Sequence, residues 1–399
     1  MADAGEEWRL MVRQRIAAVD CFVLKLAHTE RYLGPTGSET EPPGYAVRAA
    51  WRSIYSPRFE TLLVRLTSDS GVTGWGEALA PVAPEVPAEV VRRLLTPLLV
   101  GADPRRVRPL GAALRDLMRE RGHLGGHQGD ALAAVDIALW DLAGKLAGLP
   151  VHELLGGAFR EHIPTYVSGL PRPSDGERAA LAARWAAQGV ERIKLHLGHG
   201  VATDLATVDA VRRAAPDVAI AVDAHWAYDV PAATRLAQGL RDRGGILFLE
   251  APLAPEDLAG HVDLARRTDL PVAIGEALRH RFEFLPWLRA RAVGLVQPDV
   301  ARTGITEAMA VADLAAAHHV PVAPHHSVGL GVALAAGLQI SAAVERLSCF
   351  EFQPTATEVG RRILATPLPG GPDGFALPSA PGLGIEVDEH TVTVLAEES

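Results

Sequence analysis

Cysteine is nearly absent: two thiols occur in 399 residues, Cys21 in the N-terminal region and Cys349 far along the chain. A disulfide framework is therefore excluded, and a reducing compartment fits. Basic residues are outnumbered by acidic ones, 39 against 48, which gives a net charge of -9 and a pI of about 5.9. Nucleic acid and anionic membrane are poor partners for such a chain, since both select basic faces. An acidic substrate also gains no long-range attraction, so local cations must hold it. No uninterrupted apolar stretch reaches membrane-spanning length, and the opening MADAGEEW has no basic segment leading into an apolar one. The expectation is a cytoplasmic protein.

The chain is 48% hydrophobic and 22% charged, with a mean hydropathy of +0.11, the balance of a compact soluble protein. Its length allows two or three cores, or one large barrel with a smaller domain. The second possibility is favoured by seven polar residues at the ends of short apolar runs: Lys194, Asp223, Glu250, Glu276, Asp299, His325 and Glu351. Their successive spacings are 29, 27, 26, 23, 26 and 26 residues, close to one strand, one helix and two short loops. The runs RIKL, AIAVDA, ILFLEA, VAIGE, GLVQPD, PVAPH and SCFEF read as buried strands. Parallel strands need crossovers, so this period implies βα units, and in a closed barrel all seven ends share one mouth. The run IPTYVSG, with Ser168 placed 26 residues before Lys194, supplies an eighth strand.

Before the barrel, the segments 16–26, 60–66 and 71–77 read as an antiparallel meander, the last two joined by Ser-Asp-Ser-Gly. Residues 28–50, with Gly34, Pro35, Gly37, Pro42, Pro43 and Gly44, read as a lid loop. Leu132, Val135, Leu139, Leu142 and Leu146 repeat at helical intervals until Gly148 and Pro150 stop them. The segment IEVDEHTVTVL near the C-terminus reads as a strand pair returning to the N-terminal domain. The expected organisation is an α+β capping domain over residues 1–155, a barrel over 156–355, and a segment 356–399 that returns to the cap.

Asp223, Glu250 and Glu276 end three consecutive strands, so their carboxylates are expected side by side. Such anions repel unless a cation sits among them, and an all-oxygen set suits Mg²⁺ better than Zn²⁺. Any one of these acids is most simply a helix cap; three in phase point to a metal site. Lys194 and His196 alternate on one strand and face the same side. A bound cation there is expected to lower the Lys194 pKa, the state a base needs. Across the mouth, Asp299 can orient His325, with His326 an equally open choice from spacing alone. His225 lies two residues beyond Asp223, and Glu351 faces the pocket centre; as a hydrogen-bond donor it would have to be protonated. Arg279 and Arg281, with the loop from His28 to Trp51, are candidates for gripping the far end of a substrate.

The motifs GVTGWGEA, DALAAVDIALWDLAGKLAGLPVHELLGG, IKLHLG, VDAHWAYD, FLEAPL, IGEALR, QPDVARTGIT, APHHSVGL and SCFEFQP together resemble the enolase superfamily, in its mandelate racemase and muconate-lactonising branch. The resemblance implies a modified TIM barrel, (β/α)7β, under an α+β cap. It also implies Mg²⁺ held by Asp223, Glu250 and Glu276, an Asp299–His325 dyad, and removal of the proton α to a carboxylate. The chain departs from the family's Lys-x-Lys pair, placing His196 after Lys194. His225 stands where Asn is common, which resembles the branch's sugar-acid dehydratases. The expected activity is dehydration of an aldonate or aldarate to a 2-keto-3-deoxy acid, with His325 or His196 as base and His225 or the dyad as acid. A racemase, epimerase or cycloisomerase on the same scaffold is the alternative, ahead of a barrel that binds metal without catalysis. A metal-dependent amidohydrolase fits poorly, because IPTYVSG lacks a His-x-His. The partners expected are a small carboxylate and further copies of the chain.

Overall fold

A computed structural model describes residues 14–27, 44–48 and 53–399. Strands β1 (Ile16–Leu26), β4 (Phe59–Ser68) and β5 (Thr73–Ala78) form an antiparallel sheet in the order β1-β4-β5, and β2 (Ala46–Arg48) pairs with β3 (Ser53–Tyr55) beside it. The helix Gly126–Ala147 lies directly on β5, which explains two glycines of the GVTGWGEA motif. A Cβ on Gly76 would stand 1.8 Å from the Ala134 carbonyl oxygen, and one on Gly74 would stand 2.5 Å from that of Ala138. The helix ends where Gly148 adopts φ 69°, a left-handed C-cap that costs glycine little.

After the short strand β6 (His162–Ile163), the second sheet is parallel and curled. Its strands are β7 (Thr165–Ser168), β8 (Arg192–His196), β9 (Ala219–Asp223), β10 (Ile246–Glu250), β11 (Val272–Ile274), β12 (Leu295–Val296) and β13 (Phe350–Phe352), ordered β12-β11-β10-β9-β8-β7-β13. The gap between β12 and β13 is filled by residues 321–325, which pair only through isolated bridges, Val296 to Val322, Asp299 to His325 and Val322 to Leu347. Pro321 and Pro324 remove two amide donors from that run, so a regular ladder cannot form there. This is the (β/α)7β form of a TIM barrel, covered by the antiparallel cap.

Strand alternation places the barrel's inward side chains in layers. Tyr166, Ala221, Phe248, Ala273, Leu295, Ala323 and Cys349 form one buried apolar layer. Two residues further along their strands stand Ser168, Asp223, Glu250, Gln297, His325 and Glu351, all buried. The apolar layer is thus the floor beneath the polar one.

Buried carboxylates fasten the cap to the barrel. Glu77 of β5 accepts from the amides of Leu330 at 2.6 Å and Ala333 at 2.8 Å, where the helix Gly331–Ala343 begins. Those amides have no partner within their own helix, and the helix dipole favours an anion there. Asp141 accepts from Trp75 N and Leu383 N, both at 2.8 Å.

The C-terminal segment is corrected by the structure. Residues Glu389–Glu397 form a helix, not a strand, with Asp388 accepting from Thr391 N as its N-cap. The β-branched residues of HTVTVL suggested a strand, but Val392 and Leu395 are the buried pair, three residues apart. The helix does return to the cap, against β1. The proposed lid lies mostly outside the described residues; the part described, 44–48, carries β2.

Candidate active site

Over the polar layer lies a cavity of about 210 Å³, whose walls include Lys194, His196, Asp223, His225, Glu276, His325 and Glu351. Glu250 and Asp299 complete the nine residues singled out in the sequence. Each lies buried behind a lining residue and is bonded to it. The Lys194 Nζ donates to Glu250 at 3.1 and 2.9 Å and sits 2.8 Å from Glu351 Oε1. The His325 Nδ1 is 2.6 Å from Asp299 Oδ2, and its Nε2 is 2.9 Å from Glu276.

Pairing of Asp299 with His325 resolves the choice between adjacent histidines. His326 turns away and packs its ring 5.7 Å from that of Phe350. Burial pushes His326 down to about 4, whereas His325 is held well above its ordinary value, because Glu351, Asp299 and Glu276 outweigh the effect of burial.

The buried charges of the site are set by their neighbours. Burial works against the Lys194 ammonium, yet Glu250, Glu351 and Asp223 together raise its pKa above the ordinary lysine value. Burial opposes the charge of Glu351, but Lys194 and His325 draw its pKa down to about 2. Burial pushes Glu250 upward, against the pull of Lys194 and with the repulsion of Asp223, Glu351 and Glu276.

His196 and His225 flank Asp223. The His196 Nε2 and His225 Nδ1 each lie 3.8 Å from Asp223 Oδ2. Burial pushes His196 down to about 4; His225 is raised, since its contact with Asp223 outweighs burial. The His225 backbone has φ 49° and that of Trp226 φ 63°, left-handed conformations that non-glycine residues adopt at a cost of about 1–3 kcal/mol each. This turn bends the chain back over β9, so His225 stays beside Asp223.

Asp223 and Glu250 are in register on neighbouring strands, and Glu276 follows β11, next in the sheet. One ligand atom each from Glu250, Glu276 and His325 lie within 4.8 Å of one another, the spacing of a metal-binding group. His325 thus stands closer to this group than expected, alongside the carboxylates. The donors at hand are chiefly carboxylate oxygens, a chemistry that suits a hard divalent cation.

Arg279 and Arg281 do not line the cavity. Arg279 Nε is 3.2 Å from Asp130, and Arg281 bonds Glu307 at 2.8 Å, so both guanidinium groups are held in ion pairs beneath the cap. Residues missed in the sequence take their place. Tyr55 OH lies 2.9 Å from His225 Nε2, Gln297 donates to Glu250 at 2.8 Å, and Trp226 and Arg302 line the wall. Gln297 is two residues before Asp299, so strand alternation within QPD could have found it; Tyr55 carried no such signal.

Residues 177–391 match the family described as enolase C-terminal domain-like, and residues 48–156 match the N-terminal domain of mandelate racemase and muconate lactonizing enzyme. The D-galactarolactone cycloisomerase of Agrobacterium fabrum is 35% identical over 347 residues, 83% of this chain and 90% of that protein. The D-galactonate dehydratase of Ralstonia nicotianae is 33% identical over 350 residues, with 83% and 90% covered. Among solved structures, a member of the enolase superfamily from Agrobacterium tumefaciens superposes with a TM-score of 0.91 at 35% identity, over 96% of this chain and 99% of that one. The chain belongs to the enolase superfamily, in its mandelate racemase and muconate-lactonizing branch. No helix among the described residues is long and apolar enough to cross a membrane.

Proposed function

We propose that the protein is a Mg²⁺-dependent dehydratase of a sugar acid, giving a 2-keto-3-deoxy acid. The observation that carries this reading is the placing of proton-transfer groups on two sides of one carboxylate-lined cavity. The Asp299–His325 pair stands on one side; His225, bonded to Tyr55, and His196 stand on the other.

Asp223, Glu250 and Glu276 would hold the cation, which supplies positive charge to the substrate carboxylate and acidifies the α-proton. Lys194, kept protonated by Glu250 and Glu351, adds a second positive charge beside the developing enediolate. His325, oriented by Asp299, takes the α-proton. The electron pair left on the α-carbon expels the β-hydroxyl, and His225 gives that group a proton, so that water leaves. The resulting enol becomes the keto acid by protonation at carbon.

A cycloisomerase is the second reading, favoured by the 35% identity to D-galactarolactone cycloisomerase. Proton NMR of a sugar-acid and lactone panel turned over in D₂O separates the two. Dehydration gives a keto acid with one carbon deoxygenated. An isomer formed from a lactone without loss of water, with no product from the open-chain acids, would replace the proposal with the second reading.

A further inference from the structure

Arg302 is the one arginine that lines the cavity among the described residues, and it also lines the adjoining cavity beside Arg279. Its backbone is held at the seam between cap and barrel. The amide of Leu79 in the cap donates to the carbonyl of Ala301 at 2.8 Å, and the Ala301 amide donates to Asp299 Oδ1 at 2.8 Å. Thr303 Oγ1 bonds the Asp299 carbonyl at 2.9 Å, and Gly304 breaks the helix with φ 70°. Arg302 is thereby fixed three residues along the chain from Asp299, which holds His325.

Its charge is not spent on a close partner. The nearest carboxylate oxygen is Asp130 Oδ1, 3.9 Å from Nη1, and Asp130 is already engaged at 3.2 Å by Arg279. The Arg302 Nε is shut off from solvent and has no hydrogen-bond partner among the described residues. The side chain as a whole is 21% exposed, so a ligand can reach part of it, and a carboxylate is what a guanidinium's planar fork best binds.

Arg302 follows the sixth barrel strand, and Lys194 stands on the second, diametrically across an eight-strand barrel. A substrate whose first carboxylate lies by Lys194 and the acids has its other end toward Arg302. The cavity walls are otherwise rich in carboxylates, and the whole chain is acidic, so a second substrate carboxylate is tolerated only where a cation meets it. We infer that Arg302 binds the distal carboxylate of a dicarboxylic sugar acid, so that the substrate class is an aldarate, not an aldonate. This rests on the reading of the cavity as a sugar-acid site.

The test is binding as well as turnover. Isothermal calorimetry on the Mg²⁺-loaded full chain compares six-carbon aldarates with the aldonates of matching configuration, for example galactarate with galactonate. The wild type is expected to bind its preferred aldarate about ten- to hundredfold more tightly than the matched aldonate, the range of one charged, bidentate contact. In Arg302→Gln that ratio collapses toward one. Arg302→Lys, which keeps the charge but not the fork, falls between and serves if the Gln variant does not fold. Equal affinities in the wild type, no aldarate binding, or an unchanged ratio in the variants would overturn the assignment. Tight aldarate binding that depends on Arg302 without any keto acid formed would instead leave Arg302's role standing and remove the dehydratase reading.

Discussion

Replacement of Asp299 by Asn keeps the shape of the side chain and removes its charge, and the surroundings make the outcome calculable. Asp299 is 2% exposed and accepts twice: from the Ala301 amide at 2.8 Å through Oδ1, and from His325 Nδ1 at 2.6 Å through Oδ2. Asn has one oxygen and one NH₂ for these two places. If the oxygen stays on Ala301, the NH₂ faces His325 and forces the ring proton onto Nε2, the nitrogen that must accept the substrate proton. If the amide flips, NH₂ meets N–H at Ala301, and a buried donor is left unpaired at a cost of about 1–3 kcal/mol. The first arrangement disables the base; the second uncaps the helix that carries Arg302. With the wrong tautomer and no carboxylate to stabilise the imidazolium, kcat/KM is expected to fall by about 10²–10⁴. Asp299 is also one of the groups that raise the His325 pKa. A base with a raised pKa becomes active only at higher pH, so loss of that carboxylate moves the acid limb of the residual kcat/KM profile to lower pH. Steady-state kinetics from pH 5 to 9, with circular dichroism to check the fold, read both effects. A loss below about threefold with the acid limb unmoved would refute the role given to the dyad.

Glu77 is buried and raised from its ordinary 4.5 to about 7, chiefly by burial and against the pull of the Leu330 and Ala333 amides. The folded state therefore holds its proton more tightly, a contribution present below pH 4.5 and lost as pH rises through 7. Between those limits the wild type should lose about 3 kcal/mol more stability than Glu77→Gln, measured by urea unfolding; parallel pH profiles would contradict this. Gly76→Ala should destabilise by about 3 kcal/mol or more, because its Cβ meets the Ala134 carbonyl rather than a side chain that can move. A urea midpoint equal to the wild type's would show that the helix shifts freely. Arg281→Leu, which breaks an ion pair with Glu307 away from the cavity, should leave the ranking of acid substrates unchanged. A changed ranking would return Arg281 to the substrate.

The barrel was legible because its period is written twice, in the apolar runs and in the polar residues that end them. Strand alternation then carries Ala221 to Asp223 and Cys349 to Glu351 as floor and site. The cap meander was legible for the same reason, through alternation and a Gly71 turn. What escaped was decided between distant segments. Arg279 is neutralised by Asp130, 149 residues earlier, and no local pattern announces such a pair. The pKa directions of Lys194 and Glu351 depend on how many charges converge on them, which strand order alone does not count. The C-terminal helix was misread because Thr and Val favour strands in isolation, while an Asp388 cap and burial of Val392 with Leu395 settle the matter in place.

The most direct test is to incubate the purified protein with a sugar-acid panel, with Mg²⁺ and separately with excess chelator, and to assay 2-keto acid by semicarbazide absorbance. The account predicts product from at least one acid with Mg²⁺ and none in chelator. Full turnover in chelator, or no keto acid from any acid under either condition, would contradict it.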